Sequence, residues 1–373
     1  MKILILNTDY PDFLSSLYAH HSGLESESYD EQMKARVNSL FGVADSYSSN
    51  LCKLGHEAFD IHANNEALQK AWAREHNSKI ASDFEWRFCW RKGVVPWISR
   101  KKNNCWRHEI LAAQIRHHKP DVVLNQAMDV IPSAFFSGMK PHIRLLVGQH
   151  AATRLSESED LRVYDLCISS FPPMVDWFRS KGLKAELNHL GFEPRILQSL
   201  KDVPQTIPIS FIGSFQTIHN TRTEWLEHIC RKFEVKVWTP DLDRLPAESA
   251  IRESYTGTVW GAEMYQILRD SQITLNHHGN IPPYANNMRL YEATGVGALL
   301  VTDWKQNLHE LFEIGKEVVA YRSPEECSEL IEYYSHHPDE ASAIAHAGQQ
   351  KTLRDHTYAK RMEEFIEIVR KML

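Results

Sequence analysis

With 373 residues, 43% of them hydrophobic and 24% charged, the chain has an ordinary globular composition and the length for two cores, since one core seldom serves more than about 250 to 300 residues. A formal charge of −6 argues against a general nucleic-acid binder, and no window approaches the roughly 18 uninterrupted apolar residues of a transmembrane helix. The six cysteines lack a CxxC pair and the 20 histidines lack an HExxH spacing, so neither a disulfide framework nor a metal site is expected, and the thiols are expected to be reduced.

The opening MKILILNTDY has no long apolar region or small-residue cleavage site. It reads as a buried first strand at residues 2–6, with a cytoplasmic location expected. The polar loop after that strand holds Asp9 and Asp12 beside Pro11, each either a general base or a turn former. A helix follows, with Val37, Leu40, Phe41 and Ala44 on one face, and LGHEAFDI has the pattern of a helix end, a glycine cap and a second strand. Between residues 70 and 119, Trp72, Trp86, Trp90, Trp97 and Trp106 lie among many basic residues. The reading is an insertion of helices with Trp packed inward, or a surface for a phosphate-bearing or lipid-linked acceptor that also touches the inner face of a membrane. Three further apolar runs, at residues 122–124, 143–147 and 166–168, end in polar residues, among them His150 as the best-placed histidine of this half. Repeated strand and helix units of this kind predict a Rossmann-like parallel sheet.

After a strand-like run at residues 184–190, LGFEP and the polar KDVPQTIP read as a linker, and residues 207–212 start a second sheet. Gly213 and Ser214 end that strand before a helix carrying Trp225, Leu226, Ile229 and Cys230. They make either an ordinary turn or a place where a phosphate approaches backbone amides. The Asp241-x-Asp243 pair has the spelling of a metal-binding motif, but in DLDRLP a turn is the preferred role. The central stretch, ITLNHHGNIPPYANNMRLYEATGVGALLVTD, reads as strand, polar loop, helix, glycine turn and second buried strand. Two such strands lie parallel with a right-handed crossover. His277, His278, Asn286, Asn287 and Arg289 then fall beyond the carboxyl ends of the strands, where open α/β sheets bind ligands. The rest is helical apart from a strand at residues 318–321, and the last helix carries Met362, Phe365, Ile366 and Val369 as one apolar stripe.

The combination of RLYEATGVGALLVTD, FEIGKEVVAY, YYSHHPDE and HTYAKRM resembles the CgeB-type glycosyltransferases of the GT-B superfamily, closely over about the last quarter of the chain. The resemblance implies an α/β fold with two Rossmann-like domains facing a cleft: residues 1–195 on the acceptor side, with 358–373 crossing back to pack on them, and 196–357 holding the donor. It implies transfer of a sugar from a nucleotide-sugar donor to a glycan, lipid-linked or protein acceptor, with no bound metal, no cofactor and no nucleic acid. Glu292 stands where these enzymes place a glutamate on the donor ribose, and Arg289 and Lys305 are candidates for the diphosphate charge. The donor-binding set is thus Gly213, Ser214, His277, Asn286, Asn287, Arg289 and Glu292, with His150, Asp9 and Asp12 as candidate bases. Many retaining relatives carry a second glutamate eight residues before the ribose-binding one, where this chain has Tyr284, so retention and inversion both stay open. A non-catalytic nucleotide-sugar or glycan-binding protein is the second reading, since fold does not guarantee chemistry.

Overall fold

The computed structural model describes all residues except 81–83, 92–94, 103–104, 152–153, 216–219 and 280–282, and gives only the backbone of 84–91, 95–102 and 220. In chain order its strands are β1 (Lys2–Asn7), β2 (Glu57–His62), β3 (Phe84–Arg91), β4 (Val95–Lys102), β5 (Val122–Asn125), β6 (Leu145–Gln149) and β7 (Leu166–Ser169). They continue with β8 (Ala185–Leu187), β9 (Ile207–Ile212), β10 (Lys236–Trp238), β11 (Tyr255–Gly257), β12 (Ser271–Asn276), β13 (Leu299–Asp303) and β14 (Val319–Tyr321). Two six-stranded sheets result, ordered β2-β1-β5-β6-β7-β8 and β11-β10-β9-β12-β13-β14. β1 pairs in parallel with β2 and β5, and β9 with β10 and β12. Strands such as KILILN, VVLN and LLVTD are apolar almost throughout because helices cover both faces of a parallel sheet.

By compactness the chain forms two units, one of residues 1–38, 51–150 and 155–167, the other of 39–50, 151–154 and 168–373. In the second unit β13 alternates between two cores, following the strand period of two. Leu299 and Val301 pack with Trp225, Leu226 and Ile229 of the Asn220–Cys230 helix. Ala298 and Leu300 pack with Tyr265, Leu268, Leu290 and Ala293 from the Gly261–Arg269 and Arg289–Val296 helices.

Two expected elements differ. The apolar face of residues 37–44 does not continue one helix: the Tyr29–Asn38 helix stops, and Leu40 and Ala44 take positive φ values of 57° and 43°. Residues 39–50 belong instead to the second unit, where the Ser39 carbonyl accepts the Ala262 amide at 3.0 Å and Phe41 meets Trp260 edge-on. A Cβ on Gly261, itself at φ +56°, would sit 1.8 Å from that carbonyl oxygen, so only glycine fits. The basic Trp-rich stretch, expected to be helical, contains the antiparallel hairpin β3/β4. Trp72 and Trp106, on the Glu66–Glu75 and Cys105–His118 helices that flank it, are buried; the side chains of Trp86, Trp90 and Trp97 lie outside the described residues.

The last helix, Tyr358–Arg370, buries the expected stripe of Met362, Phe365, Ile366 and Val369. It reaches segments drawn from the first 195 residues: Tyr358 packs on Tyr47, the Arg361 carbonyl accepts from Asn188, and Arg361 Nε donates to the Leu190 carbonyl. Phe192 of LGFEP bridges Thr357, and the Arg289–Val296 helix comes so near that a Cβ on Gly295 would lie 2.5 Å from the Phe192 ring.

Candidate active site

The carboxyl ends of β9, β12, β13 and β14 bring the polar residues of the second unit together. After β9, Gly213 donates its amide to the Trp238 carbonyl at 3.1 Å and Phe215 donates its own to Asp241 at 2.9 Å. Both amides are therefore engaged within the turn that follows β9. Asp241 opens the short Leu242–Arg244 helix and also pairs with Arg244 at 3.1 Å, a structural use of both carboxylate oxygens.

Arg222, buried in the Asn220–Cys230 helix, was not among the expected residues. Its Nη1 donates to the Ser214 carbonyl at 2.9 Å, and Nε and Nη2 donate to the His277 carbonyl at 2.9 and 2.6 Å. One guanidinium fork therefore ties the β9 loop to the β12 loop. Burial lowers its pKa to about 10, against the nearby Asp303 charge, so it remains a cation at neutral pH.

His277 lies with its ring roughly parallel to those of Trp225 and Tyr321, at 5.0 and 6.1 Å. The Tyr321 hydroxyl donates to the Asn276 carbonyl at 2.9 Å and lies 3.0 Å from His277 Nδ1. Since the hydroxyl proton is committed, Nδ1 carries the imidazole proton. Burial pushes the His277 pKa down to about 4, although Asp303 opposes the shift, so the ring is neutral. Next to it, Asp303 at the end of β13 receives the His278 amide at 2.9 Å, His278 Nδ1 at 2.6 Å and Lys305 Nζ at 3.0 Å. Burial would raise this carboxyl, but His278, His277 and Lys305 together hold it well below the usual range.

On the other face of the same edge, the Arg289–Val296 helix opens with a pair formed by the half-buried Arg289 and the buried Glu292: Arg289 Nη1 lies 2.9 Å from Glu292 Oε2. The Tyr265 hydroxyl approaches Glu292 Oε1 at 3.4 Å, and Arg289 Nη2 donates to the Ile212 carbonyl at 3.3 Å. An ionised carboxylate has about four acceptor positions, so Glu292 keeps capacity for a diol after these two contacts. Asn287 accepts the Leu290 amide at 3.3 Å and donates to Asn276 at 2.9 Å, while Asn286 donates to the Ala151 carbonyl at 3.2 Å. These asparagines shape the loop before the helix. Tyr284 in the same loop meets Phe171 edge-on.

The expected donor set thus divides. Arg289 and Glu292 form a pair, and His277 joins a second cluster with Asp303 and Lys305. Asn287 and Gly213 serve the backbone. Tyr265, Tyr321 and Arg222 were missed because their partners lie 27, 45 and 55 residues away. Asp303 was within reach, since the polar residue closing LLVTD sits where ligands meet parallel strands.

The candidate bases stand in the first unit. Asp9 is buried, with Arg36 Nε and Nη2 at 2.9 and 2.6 Å from one oxygen and His62 Nδ1 at 2.9 Å from the other. Burial pushes its carboxyl up, but His62 and Arg36 outweigh it and hold the group well below the usual range, which makes a weak proton acceptor near neutral pH. Asp12 is exposed in the first turn of the Pro11–His20 helix, and His150 is half-buried just past β6.

Two parallel α/β sheets with ligand-competent carboxyl ends define the class, the GT-B type of fold. Over 100% of both chains, HepE from Anabaena in complex with UDP and glucose superposes with a TM-score of 0.59 at 13% identity. A glycosyltransferase from Rickettsia africae gives 0.60 at 13% identity over 100% of this chain and 98% of its own. The sucrose-phosphate synthase from Thermosynechococcus elongatus gives 0.58 at 10% identity over 100% and 99%. Such identities establish the fold alone. In sequence, residues 195–367 match the family described as glycosyl transferase-like. No curated protein matches the chain. Among the described residues, no helix is long and apolar enough to cross a membrane.

Proposed function

We propose that the protein is a glycosyltransferase of the CgeB type that moves a sugar from a nucleoside diphosphate to a glycan, lipid-linked or protein acceptor, as in polysaccharide synthesis. The observation that carries this reading is the pair of buried Glu292 with half-buried Arg289 at the start of a helix beyond β12, within the segment that matches the glycosyl transferase-like family. Glu292 accepts the ribose diol, and Arg289 meets diphosphate charge as the leaving group departs. His150 is the base proposed for an inverting route, because Asp9 is committed to Arg36 and His62. No metal is assigned a step, since Asp241 is engaged by Phe215 and Arg244. Contact with a membrane surface would fall to the β3/β4 hairpin, Trp72 and Trp106 being buried.

The test is calorimetry with a panel of nucleotide sugars. Glu292→Gln should weaken donor binding roughly ten- to a hundred-fold, the loss of a charged acceptor worth about 1.5 to 3 kcal/mol. Unchanged affinity in a folded variant removes Glu292 from the site. Turnover should survive EDTA, and loss restored by magnesium or manganese would reverse the metal-free assignment. Donor binding without turnover on any acceptor extract would favour the non-catalytic reading.

A further inference from the structure

The Glu292–Arg289 pair occupies one face of the second sheet's carboxyl edge, packed with Tyr265 and Met264. The other face holds a cavity of about 680 Å³, lined by Trp225, His277, Asp303, Trp304, Lys305 and Tyr321 among others. That volume is within the range of about 300 to 1,000 Å³ typical of small-ligand sites, and the function argued above gives it no occupant.

Three features specify one. The first is Trp304, a large aromatic left 39% exposed. Its backbone amide is pinned to the Tyr321 carbonyl at 2.7 Å, and the Arg322 guanidinium lies 5.2 Å from its ring centre. An indole held in this way is a preset stacking platform. The second is the wall of parallel rings, Trp225 and Tyr321 being 2° from coplanar orientation at 5.4 Å, with His277 beside them. The third is Asp303 with Lys305. One oxygen of Asp303 is filled by the His278 amide and ring, while the other has Lys305 Nζ at 3.0 Å and room for one more donor. Lys305 has three N–H groups to share. Glu224 and Asp303 balance Lys305 and Arg322 around the cavity, so its lining has no net charge to draw an anion. Apolar ring faces next to a fixed donor and acceptor pair fit a neutral saccharide, with its C–H face on an aromatic and its hydroxyls on the ion pair.

We propose that this cavity is a saccharide-binding subsite, with Trp304 as the stacking platform and Asp303 and Lys305 as the hydroxyl partners, separate from the nucleotide position at Glu292. It rests on the glycosyl-transfer reading only in naming the saccharide as a non-reacting part of the acceptor, held on the same sheet edge that holds the donor.

The experiment uses the full chain labelled with 5-fluorotryptophan, the Trp304 fluorine resonance being assigned by its loss in Trp304→Phe. Maltotriose, cellotriose, triacetylchitotriose and mannobiose are each titrated to roughly 50 mM, enough to fill a site of millimolar Kd. At least one should shift the Trp304 resonance saturably, and UDP alone should leave it in place. Saturation transfer from protein to that saccharide should weaken about tenfold in Trp304→Ala, the equivalent of about 1.4 kcal/mol of stacking, and also in Lys305→Met. No shift with any of the saccharides overturns the proposal, as does a shift with UDP, which would make the cavity a nucleotide site. Calorimetry with nucleotide sugars on the same sample reads Glu292 independently, so the failure of one assignment is distinguishable from failure of the other.

Discussion

Asp9 in the first unit and Asp303 in the second are local counterparts: each lies at the carboxyl end of a parallel strand, each is buried, and each has a histidine and a cation within 3.0 Å, with His277 a further 4.0 Å neighbour of Asp303. Asp9 has His62 and Arg36; Asp303 has His278 and Lys305. They differ in how far they are sealed. The Asp9 and Arg36 side chains keep only 2% and 3% of their exposure, whereas Asp303 keeps 8% and Lys305 16%, and both of the latter line a cavity. A sealed pair fixes the loop after its strand. A pair with one open flank has donors and acceptors to offer a ligand, so the same residue types at the same place in a strand-helix unit divide into a structural clamp and a candidate recognition group.

The largest effect expected from this contrast is on stability. Asp9→Asn removes the carboxylate charge that Arg36 and His62 share inside the first unit and should cost about 3 to 5 kcal/mol, whereas Asp303→Asn should cost about 1 to 3 kcal/mol, because Lys305 can extend its ammonium toward water. Urea denaturation of the two variants checks the order, and equal costs would erase the distinction between sealed and open pairs. A smaller effect is expected from pH. Both aspartates have depressed carboxyl pKa values in the folded state, so their stabilisation is present above about pH 4 and is lost as the pH falls further. His277 acts in an earlier window: its folded pKa of about 4 lies below the ordinary 6.5. Between those values the unfolded chain binds a proton that the folded chain refuses, and stability declines as pH drops from 6.5 to 4. His118, His189 and His356 share this window. His277→Phe should therefore flatten the decline only partly, as read from denaturation midpoints across a pH series. An unchanged slope would mean that the His277 ring is not held neutral at the open site.

The sheets were legible because buried parallel strands such as ISFI and LLVT announce themselves as short apolar runs bounded by glycine or polar residues. The hairpin is less legible: Phe84, Trp86, Phe88 and Trp90 alternate with a period of two, but the basic residues around them fit a solvated helical surface equally well. The stripe at Val37, Leu40, Phe41 and Ala44 was read as one helix because spacing cannot reveal that the backbone turns left-handed at Leu40 and feeds its side chains to another core. Within the site, Arg289 is legible from its place beyond the carboxyl end of a parallel strand, and Glu292 from the resemblance carried by RLYEATGVGALLVTD. The fork of Arg222 onto Ser214 and His277 is not, because no local pattern links positions 55 residues apart.

The closing helix also sets a clock on synthesis. Tyr358 packs on Tyr47, and Thr357 bridges Phe192, so a body whose family-matching segment spans 195–367 draws on residues made long before that segment. At about 5 to 20 residues per second, residue 47 waits roughly 15 to 60 s for its partner about 310 positions later. For that interval Tyr47 lacks the Tyr358 ring on which it packs. The stretch that matches one family, residues 195–367, is therefore not the stretch that packs as one body.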